Sequence, residues 1–333
     1  MAILSRIAAA AAVMLVMAAA AAQAAPRYHL IDLGPSVGRK LNFPGEVAGN
    51  AGGGPALWVD GAWHALHGSG KTVANDLGNN RVAVGTRGLG QGERYAPTAV
   101  MWKPDGSQVD LAPGAELSFG TFIRSDGTAF GMLKPRQGHS FPFRWQAGRL
   151  KALPFVEGWA WTKPHGANDA HPRQIAATAQ SVAEDGQCPS EPVLFNDGAW
   201  LHLGSLGGDC GGANAVNDDG TAVGFSTVAH GHASHAFMWK EGVMTDLGSL
   251  GGGRAAANDI SKGGTIVGYA VDEKLEPHPV SWRDGVITAL DAVVDRAPDG
   301  TLLEALAINE AGQILVRGIG SDDRPHTWLL DPL

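Results

Sequence analysis

The sequence has little of what most motif-based chemistry requires. It contains only two cysteines, and Lys and Arg do not cluster in a chain whose formal net charge is −8. No Gly-x-Ser-x-Gly elbow, His-Glu-x-x-His motif, phosphate-binding loop or EF-hand loop occurs in it. These absences argue against nucleic acid as a partner and leave no motif that identifies a reaction.

Long apolar runs are also absent, except at the N-terminus. Arg6 precedes an apolar run of about sixteen residues, and small residues follow at Ala22 and Ala24. This order predicts a secretory signal peptide over residues 1–24. A membrane anchor is the alternative, but the run is shorter than the roughly twenty residues needed to cross a bilayer. We therefore expect an exported protein, periplasmic or extracellular, without membrane insertion, in which residues 25–333 form one domain.

What the sequence does contain is a repeat. An aromatic anchor recurs at intervals of 44, 43, 50, 44, 43 and 46 residues. The anchors are Trp58, Trp102, Trp145, Phe195, Trp239, Trp282 and Trp328, and we number the repeats one to seven after them. A period of this length with strand-like content is typical of one four-stranded propeller blade. The sequence therefore predicts an all-β fold, a seven-bladed β-propeller, and a monomer.

Each repeat carries further landmarks around its anchor. A small residue is predicted to lie in the first strand of each blade, at Gly38, Ala74, Gly120, Ala167, Ala213, Ala257 and Ala305. Glycine stands eleven positions later in five of the seven repeats, and these positions align without a gap. After the anchor, pairs such as Asp60-Gly61 predict a tight hairpin turn. The anchors themselves are predicted to be core residues that pack one sheet against the next.

The seventh repeat lacks a fourth strand after its anchor, since only five residues follow Trp328. The segment Tyr28 to Leu33 resembles the fourth strand of repeat five, Met244 to Gly248, but has no anchor before it. We expect this segment to supply the missing strand. The pairing would close the ring and remove the free strand edges of an open array.

Repeat five carries the clearest resemblance to a known family. His235-Ala236-Phe237-Met238-Trp239 is followed, from Gly242, by Gly-Val-Met-Thr-Asp-Leu-Gly-Ser-Leu-Gly-Gly. This run is similar to the HAF-repeat family of bacterial extracellular proteins, named for the His-Ala-Phe tripeptide. Partial copies occur at 202–208 and 305–312. The resemblance implies export and a repeat fold, and it implies no catalytic residues.

Loop length distinguishes the two faces of the predicted propeller. Connections between blades are long on one face, whereas the hairpins of the opposite face are tight, so ligand-binding residues are expected on the long-loop face. Trp159 and Trp161, with His165, lie in the connection between repeats three and four and could stack on a sugar ring. Covering the core is the alternative for these residues. The charged candidates on this face include Arg136, Arg254 and Asp272.

The same face holds the candidate metal ligands and both cysteines. His230 and His232 have a spacing that could converge on zinc or copper, although no Cys, Asp or Glu lies within three residues of either. Otherwise no cofactor is expected. Cys188 and Cys210 are expected to form a disulfide in an exported protein, closing a loop of about twenty residues that contributes roughly 3 kcal/mol. Two unlinked thiols are the alternative.

Three functional hypotheses follow. The first is a non-catalytic binding propeller for a protein or glycan partner, acting through the face that bears Trp159 and Trp161. The second is an enzyme, a polysaccharide or peptide hydrolase or lyase with its site at the central pocket, because propellers host such sites without a sequence motif. The third is a structural component of the envelope or matrix with no small ligand.

Overall fold

The computed structural model describes residues 28–68, 71–88, 96–170, 173–181, 189–229 and 233–333. Within these ranges the protein is all-β, and its one helical element is a 3₁₀ turn at Leu290–Ala292. The segment predicted as a signal peptide lies outside the described residues, as do Cys188, His230 and His232. The described chain contains no helix long and apolar enough to cross a membrane.

The strands follow the repeats. Repeat one contains β1 (Tyr28–Leu41), β2 (Val47–Ala51), β3 (Gly54–Val59) and β4 (Ala62–Ala65). Repeats two and three contain β5 (Val73–Leu77), β6 (Ala83–Arg87), β7 (Thr98–Trp102), β8 (Gln108–Asp110), β9 (Leu117–Ile123), β10 (Ala129–Lys134), β11 (Phe141–Gln146) and β12 (Arg149–Ala152). Repeat four contains β13 (Trp161–Ala167), β14 (Gln174–Gln180), β15 (Ser190–Asn196) and β16 (Ala199–His202).

The remaining repeats continue the pattern. Repeats five and six contain β17 (Gly207–Val216), β18 (Ala222–Val228), β19 (Ser234–Lys240), β20 (Val243–Asp246), β21 (Gly251–Ile260), β22 (Ile266–Asp272), β23 (Pro277–Arg283) and β24 (Val286–Ala289). Repeat seven contains β25 (Gly300–Ile308), β26 (Ile314–Gly320) and β27 (Pro325–Pro332). Within a repeat, consecutive strands pair antiparallel. Pairing between repeats occurs at β1, which pairs with β2 through Ser36 to Leu41 and with β27 through Tyr28 to Pro35. It also occurs at a single parallel bridge between β19 and β21, from Ser234 to Arg254.

Every repeat has a β-bulge in its first strand. The bulged residues are Arg39, Asn75, Thr121, His165, Asn214, Asn258 and Leu306, which we call the bulge ring. The bulge brings the first strand close to the second, so a Cβ at Gly85 would lie 2.0 Å from the carbonyl oxygen of Val73, and one at Gly224 would lie 1.9 Å from that of Gly212. No side chain fits there, which explains the glycine that stands eleven positions after the small residue in these repeats.

Repeat four departs from the predicted alignment. Its bulge follows Pro164. Ala167 pairs with Ile175, and this pair corresponds to Leu41 and Val47 in repeat one. The connection between these two strands is two residues longer than in the other repeats. The gap-free alignment that placed Ala167 at the small position was therefore wrong by three residues. The error arose because an insertion in a surface turn does not disturb the hydrophobic pattern on either side.

The turns confirm the predicted hairpin chemistry. Between the third and fourth strands, Asp60 and Gly61 have φ values of 51° and 82°, and Asp197 and Gly198 have values of 48° and 96°. Two consecutive residues with positive φ are typical of the type I′ turn, which matches the twist of antiparallel strands. In the turn after β5, at a position where five of the other six repeats have glycine, Arg81 has a φ of 60°.

The aromatic anchors pack between neighbouring sheets. Trp102, Trp282 and Trp328 are at most 2% exposed, which confirms their prediction as core residues. The indole Nε1 of Trp102 donates to the carbonyl oxygen of His67, 2.6 Å away, at the end of the preceding repeat. In repeat four the anchor is Phe195, which cannot donate, and Trp200 on the paired strand donates instead to the carbonyl oxygen of Pro154 at 2.8 Å. Trp102 and Trp282 therefore combine apolar burial with a hydrogen bond between repeats, since the indole Nε1 of Trp282 donates to the carbonyl oxygen of Leu247 at 3.1 Å.

Candidate functional site at the centre of the sheets

The first strands of all seven repeats line one cavity. Its volume is about 730 Å³, within the range of about 300–1,000 Å³ that is typical of small-ligand sites. The whole bulge ring lines it, together with the residues that follow toward the turns between first and second strands. The cavity therefore lies where a propeller has its central channel and extends to the face opposite the predicted long-loop face.

Three asparagines of the bulge ring connect neighbouring repeats. The side-chain amide nitrogens of Asn75, Asn214 and Asn258 donate to the carbonyl oxygens of Gly120, Ala257 and Ala305 at 2.7, 2.9 and 2.9 Å. Each bond joins one repeat to the next around the cavity. In each asparagine the side-chain amide nitrogen donates to a carbonyl oxygen. The Oδ1 atom of the same side chain therefore remains available as a hydrogen-bond acceptor.

Basic groups gather at and above the bulge ring. Arg39 and Lys163 come from repeats one and four, and both are exposed to the water of the cavity that they line. Enclosure by protein, with the charge of Arg39 as the second cause, lowers the pKa of Lys163. Burial, reinforced by the charge of Lys163, lowers the pKa of His165 to about 3, so this imidazole is neutral at physiological pH. Its Nε2 atom lies 3.1 Å from the hydroxyl of Thr178.

One residue further along the first strands, a charged bridge crosses the cavity. We use this name for Lys40, Asp76 and Asp259. The Lys40 ammonium donates to Asp259 Oδ2 at 2.7 Å, from repeat one to repeat six. Burial alone would lower the pKa of Lys40, but Asp259 and Asp76 outweigh it and raise that pKa. Burial raises the pKa of Asp76 to about 6, although Lys40 opposes the shift.

The two carboxylates of the charged bridge also hold backbone. Asp76 accepts from the backbone nitrogen of Ile123 at 2.8 Å, and Asp259 accepts from that of Ile308 at 3.1 Å. Each bond joins a repeat to its successor, as the asparagine bonds of the bulge ring do. These carboxylates are therefore structural, because their oxygens are already used to join the repeats.

The structure separates the predicted ligand-binding residues. Trp161 and His165 lie in β13, so their prediction as loop residues was wrong, a consequence of the shifted alignment of repeat four. Trp161 is 45% exposed, whereas Trp159 packs on a buried cluster that includes Val156 and Ala177. The charged candidates are dispersed: Arg136 and Arg254 are exposed and Asp272 is half-buried. Of the six candidates, His165 is the one that lines the central cavity.

A different group of possible metal ligands lies near Asp272. One side-chain ligand atom from each of Asp272, Glu276 and His278 lies within 4.8 Å of the others, and all are on the surface between β22 and β23. Two of these side chains already have partners, because Asp272 accepts from the backbone nitrogen of Glu276 at 2.9 Å and His278 Nδ1 lies 2.7 Å from Asp291. The arrangement is a capped turn with a His–Asp pair.

A related pair explains the His-Ala-Phe tripeptide. His235 Nδ1 lies 2.8 Å from Asp246 Oδ2, across the hairpin of β19 and β20. The histidine therefore joins the third and fourth strands of its repeat. In repeat six, His278 in the third strand instead pairs with Asp291 in the 3₁₀ turn that follows the fourth strand. Cys210, the described member of the predicted disulfide, is half-buried in β17, and its backbone nitrogen donates to the hydroxyl of Thr227 at 3.1 Å.

Sequence reasoning missed the residues that line the cavity, apart from His165. A signal was available, because the residue after the predicted small landmark is asparagine in four repeats: Asn75, Asn168, Asn214 and Asn258. All four line the cavity, and all but Asn168 belong to the bulge ring. A polar residue recurring in the middle of an otherwise apolar strand indicates that the strand faces water or a ligand. The convergence of Arg39 with Lys163 has no such signal, because these residues are 124 positions apart in the chain.

Comparisons with known proteins identify the fold. A scan against protein-family models and a search of the curated proteins found no match. Among solved structures, the β-propeller domain of the trilobed protease from Pyrococcus furiosus is similar, with a TM-score of 0.58 and 9% identity over 92% of this chain and 96% of that one. Virginiamycin B lyase from Staphylococcus aureus has a TM-score of 0.57 and 9% identity over 92% and 100%.

TolB from Acinetobacter baumannii has a TM-score of 0.45 and 14% identity over 75% of this chain, which spans 63% of the length of TolB. At such identities the similarities show the fold and no more. The chain has a β-propeller fold, in agreement with the sequence-based prediction of an all-β propeller.

Proposed function

We propose that the protein is an exported, non-catalytic binding propeller of seven four-stranded blades, closed by β1. Seven sequence repeats and the strand order within each sheet support the blade count. The signal-like N-terminal pattern and the resemblance to the HAF-repeat family support export. In this architecture each repeat is one blade, and β1 contributes to the first and the last.

Contacts of β1 with repeat seven support the closure. Tyr28, Leu30 and Leu33 are at most 4% exposed. The strand pairs with β27 from Tyr28 to Pro35, and Asn309 in repeat seven donates to the carbonyl oxygen of Asn42 in repeat one at 3.0 Å. Both backbone and side chains therefore join the last repeat to the first.

Deleting Tyr28 to Leu33 is expected to unfold the protein under ordinary conditions. The deletion removes three buried side chains and a row of backbone hydrogen bonds, a loss above about 5 kcal/mol and comparable with the stability of a domain. Circular dichroism during thermal unfolding measures the effect. A matched variant carries the same six residues after Leu333 through a short Gly-Ser turn, and we expect it to recover most of the stability. An unchanged melting temperature in the deletion variant would contradict closure by this strand.

The central cavity carries the proposal of a binding function. It is continuous, it has the size of a small-ligand site, and one strand of every repeat lines it. Amides and charges line the cavity, and this polar lining suits a hydrophilic small molecule such as a glycan. A protein partner would instead bind through a surface with an apolar core. The carboxylates of the charged bridge are engaged with Lys40 and with backbone N–H groups, so they are poorly placed to act as a general acid and base.

The binding proposal is tested by filling the cavity. Leu306 lies in the bulge ring, and a Leu306→Trp substitution adds a bulky ring there without removing a hydrogen bond. The purified protein is screened on an array of neutral and acidic glycans and peptides, and a bound ligand is then titrated into the variant. We expect binding to fall at least tenfold for Leu306→Trp and to stay unchanged for Leu201→Trp, an exposed residue in β16.

Two outcomes of this screen contradict the proposal. Equal binding by Leu306→Trp would place the ligand elsewhere, with the exposed Trp161 as the next surface to test. Mass spectrometry of the ligand after incubation detects turnover. A cleaved or eliminated product would favour the polysaccharide or peptide hydrolase or lyase hypothesis.

A further inference from the structure

The charges that line the central cavity are almost all paired. Lys40 pairs with Asp259, Arg124 with Asp169, Lys262 with Asp218, and Glu304 with Arg317. Glu310 accepts from the backbone nitrogen of Lys262, and Asp76 lies in the field of Lys40. Two charges in the lining are left over: among the described residues, no carboxylate lies within ion-pair distance of Arg39 or Lys163.

The two leftover charges have the same sign and lie in the same part of the cavity. The two charges repel, since the charge of Arg39 adds to burial in lowering the pKa of Lys163. Arg39 is also repelled by Arg317, whose charge adds to burial in lowering the pKa of Arg39. Cations held together inside a protein cavity, in a chain with a net charge of −8, are costly unless something offsets them. An anion placed between them would gain from both.

Hydrogen-bond acceptors surround this position. Asn75, Asn214 and Asn258 belong to the bulge ring, and the bond that each amide nitrogen makes to the next repeat leaves an Oδ1 acceptor in the cavity wall. Acceptors of this kind bind hydroxyl groups, whereas a guanidinium and an ammonium bind a carboxylate. Together they complement a molecule that carries both groups.

We propose that the bulge-ring end of the cavity binds an acidic sugar, a uronic-acid monosaccharide or short oligosaccharide. Arg39 and Lys163 hold its carboxylate, and the Oδ1 atoms of Asn75, Asn214 and Asn258 accept from its hydroxyl groups. The neutral His165 imidazole lies beside the carboxylate site and adds no charge to it. This inference rests on the proposed binding function and names the class of ligand that the cavity takes.

The test is isothermal titration calorimetry of the purified mature protein with digalacturonate. Its dimethyl ester keeps every hydroxyl of the sugar but has no charge, and glutarate and inorganic phosphate carry charge without the sugar hydroxyls. We expect digalacturonate to bind at least tenfold more tightly than the other three. Arg39→Gln and Lys163→Met should each weaken digalacturonate binding about tenfold, the typical loss of one charge-assisted hydrogen bond.

Control variants separate this site from general effects of charge. Arg149→Gln removes an exposed arginine from β12, an outer strand, and should bind digalacturonate as the parent protein does. The double variant Arg39→Gln/Lys163→Met keeps the inference testable if one single variant fails to fold. Its melting temperature should equal or exceed that of the parent protein, since two repelling cations are removed.

Several results overturn the inference. If the dimethyl ester binds as tightly as digalacturonate, the cations do not contribute to binding and the acidic-sugar inference is wrong. The cavity would still bind a glycan, so the proposed function would stand. Equal binding of glutarate or phosphate removes the role of the asparagines. Absence of binding by every probe, or unchanged digalacturonate binding by the double variant, contradicts the acidic-sugar site itself, and the array screen with Leu306→Trp then decides the proposed function independently.

Discussion

Arg39 and Lys40 are neighbours in β1, yet they differ in the charged groups that surround them. Lys40 reaches Asp259 at 2.7 Å and lies in the field of Asp76, so its ammonium joins repeats one and six. Arg39 lies in the bulge ring with no carboxylate partner among the described residues, and it faces Lys163 from repeat four. The bulge accounts for the difference, because it presents both consecutive side chains to the cavity at different heights.

The comparison separates structural charge from functional charge. A charge that is paired and hydrogen-bonded contributes to holding the repeats together, and removing one partner leaves the other uncompensated. A charge in the same cavity that lacks a partner is a cost to stability that a bound ligand can offset. Mutations of the two residues should therefore act in opposite directions.

The largest expected effect comes from Lys40→Met. The substitution leaves Asp76 and Asp259 without a cation, and we expect the free energy of unfolding at pH 7 to fall by about 2–3 kcal/mol. Breaking a fully buried pair costs about 3–5 kcal/mol, and this value is smaller because the Lys40 side chain is 34% exposed. Urea unfolding measures it. Arg39→Met is the matched control and should change stability by less than about 0.5 kcal/mol or increase it. Equal losses of unfolding free energy in Lys40→Met and Arg39→Met would contradict the distinction between a structural and a functional charge.

The second prediction concerns the pH dependence that Asp76 gives to stability. Its pKa in the folded protein is about 6, above the ordinary value of 3.8, so between these values the folded state binds more protons than the unfolded state. The free energy of unfolding therefore falls as pH rises through this window, by about 2 kcal/mol from pH 4 to pH 6. Asp76→Asn keeps an acceptor for the N–H of Ile123 and should abolish this fall.

Urea unfolding at pH 4, 5 and 6 measures the difference between parent and variant. Asp105→Asn, at an exposed turn where hydrogen bonds with Ser107 lower the aspartate pKa, is the control and should retain the fall. If the parent protein became more stable relative to Asp76→Asn between pH 4 and pH 6, the predicted direction of the pKa shift of Asp76 would be wrong.

The smallest expected effect is a change in the pKa of His165, at the bulge-ring end of the cavity. Lys163→Met removes the second cause of the low pKa of His165, so this pKa should rise from about 3. It should stay below 6.5, because burial is the larger cause and remains. NMR titration of the histidine ring measures the change, and Lys151→Met in the exposed strand β12 should leave it unaltered. A pKa of His165 that does not rise would show that Lys163 is too distant to share a ligand with it.

Much of the fold could be predicted because its determinants are local. The type I′ turn at Asp60-Gly61 depends on two residues that accept positive φ, and the anchor Trp102 is buried because a large aromatic ring gains most from leaving water. The same locality explains the error in repeat four. An inserted pair of turn residues is invisible to a pattern of apolar positions, so Ala167 was aligned where Pro164 lies, and His165 was assigned to a loop.

The candidate site could be predicted only in part. The polar position after the small landmark was present in the sequence at Asn75, Asn214 and Asn258, since it follows the same period as the anchors. Which charges lack a partner could not be predicted, because Lys40 and Asp259 are 219 residues apart and pair only when repeats one and six face each other across the cavity.

The sequence by itself determined a seven-fold repeat of strand-like segments, its tight turns and its buried aromatic residues, because each of these follows from the chemistry of residues a few positions apart. Tertiary structure alone decided where the chain presents charge to a ligand. It brought the first strand of every repeat to one cavity and gave Lys40 two carboxylates, whereas Arg39 has none among the residues that the structure describes. Electrostatic pairing depends on distance in space, and the fold brings together residues that are far apart in the chain.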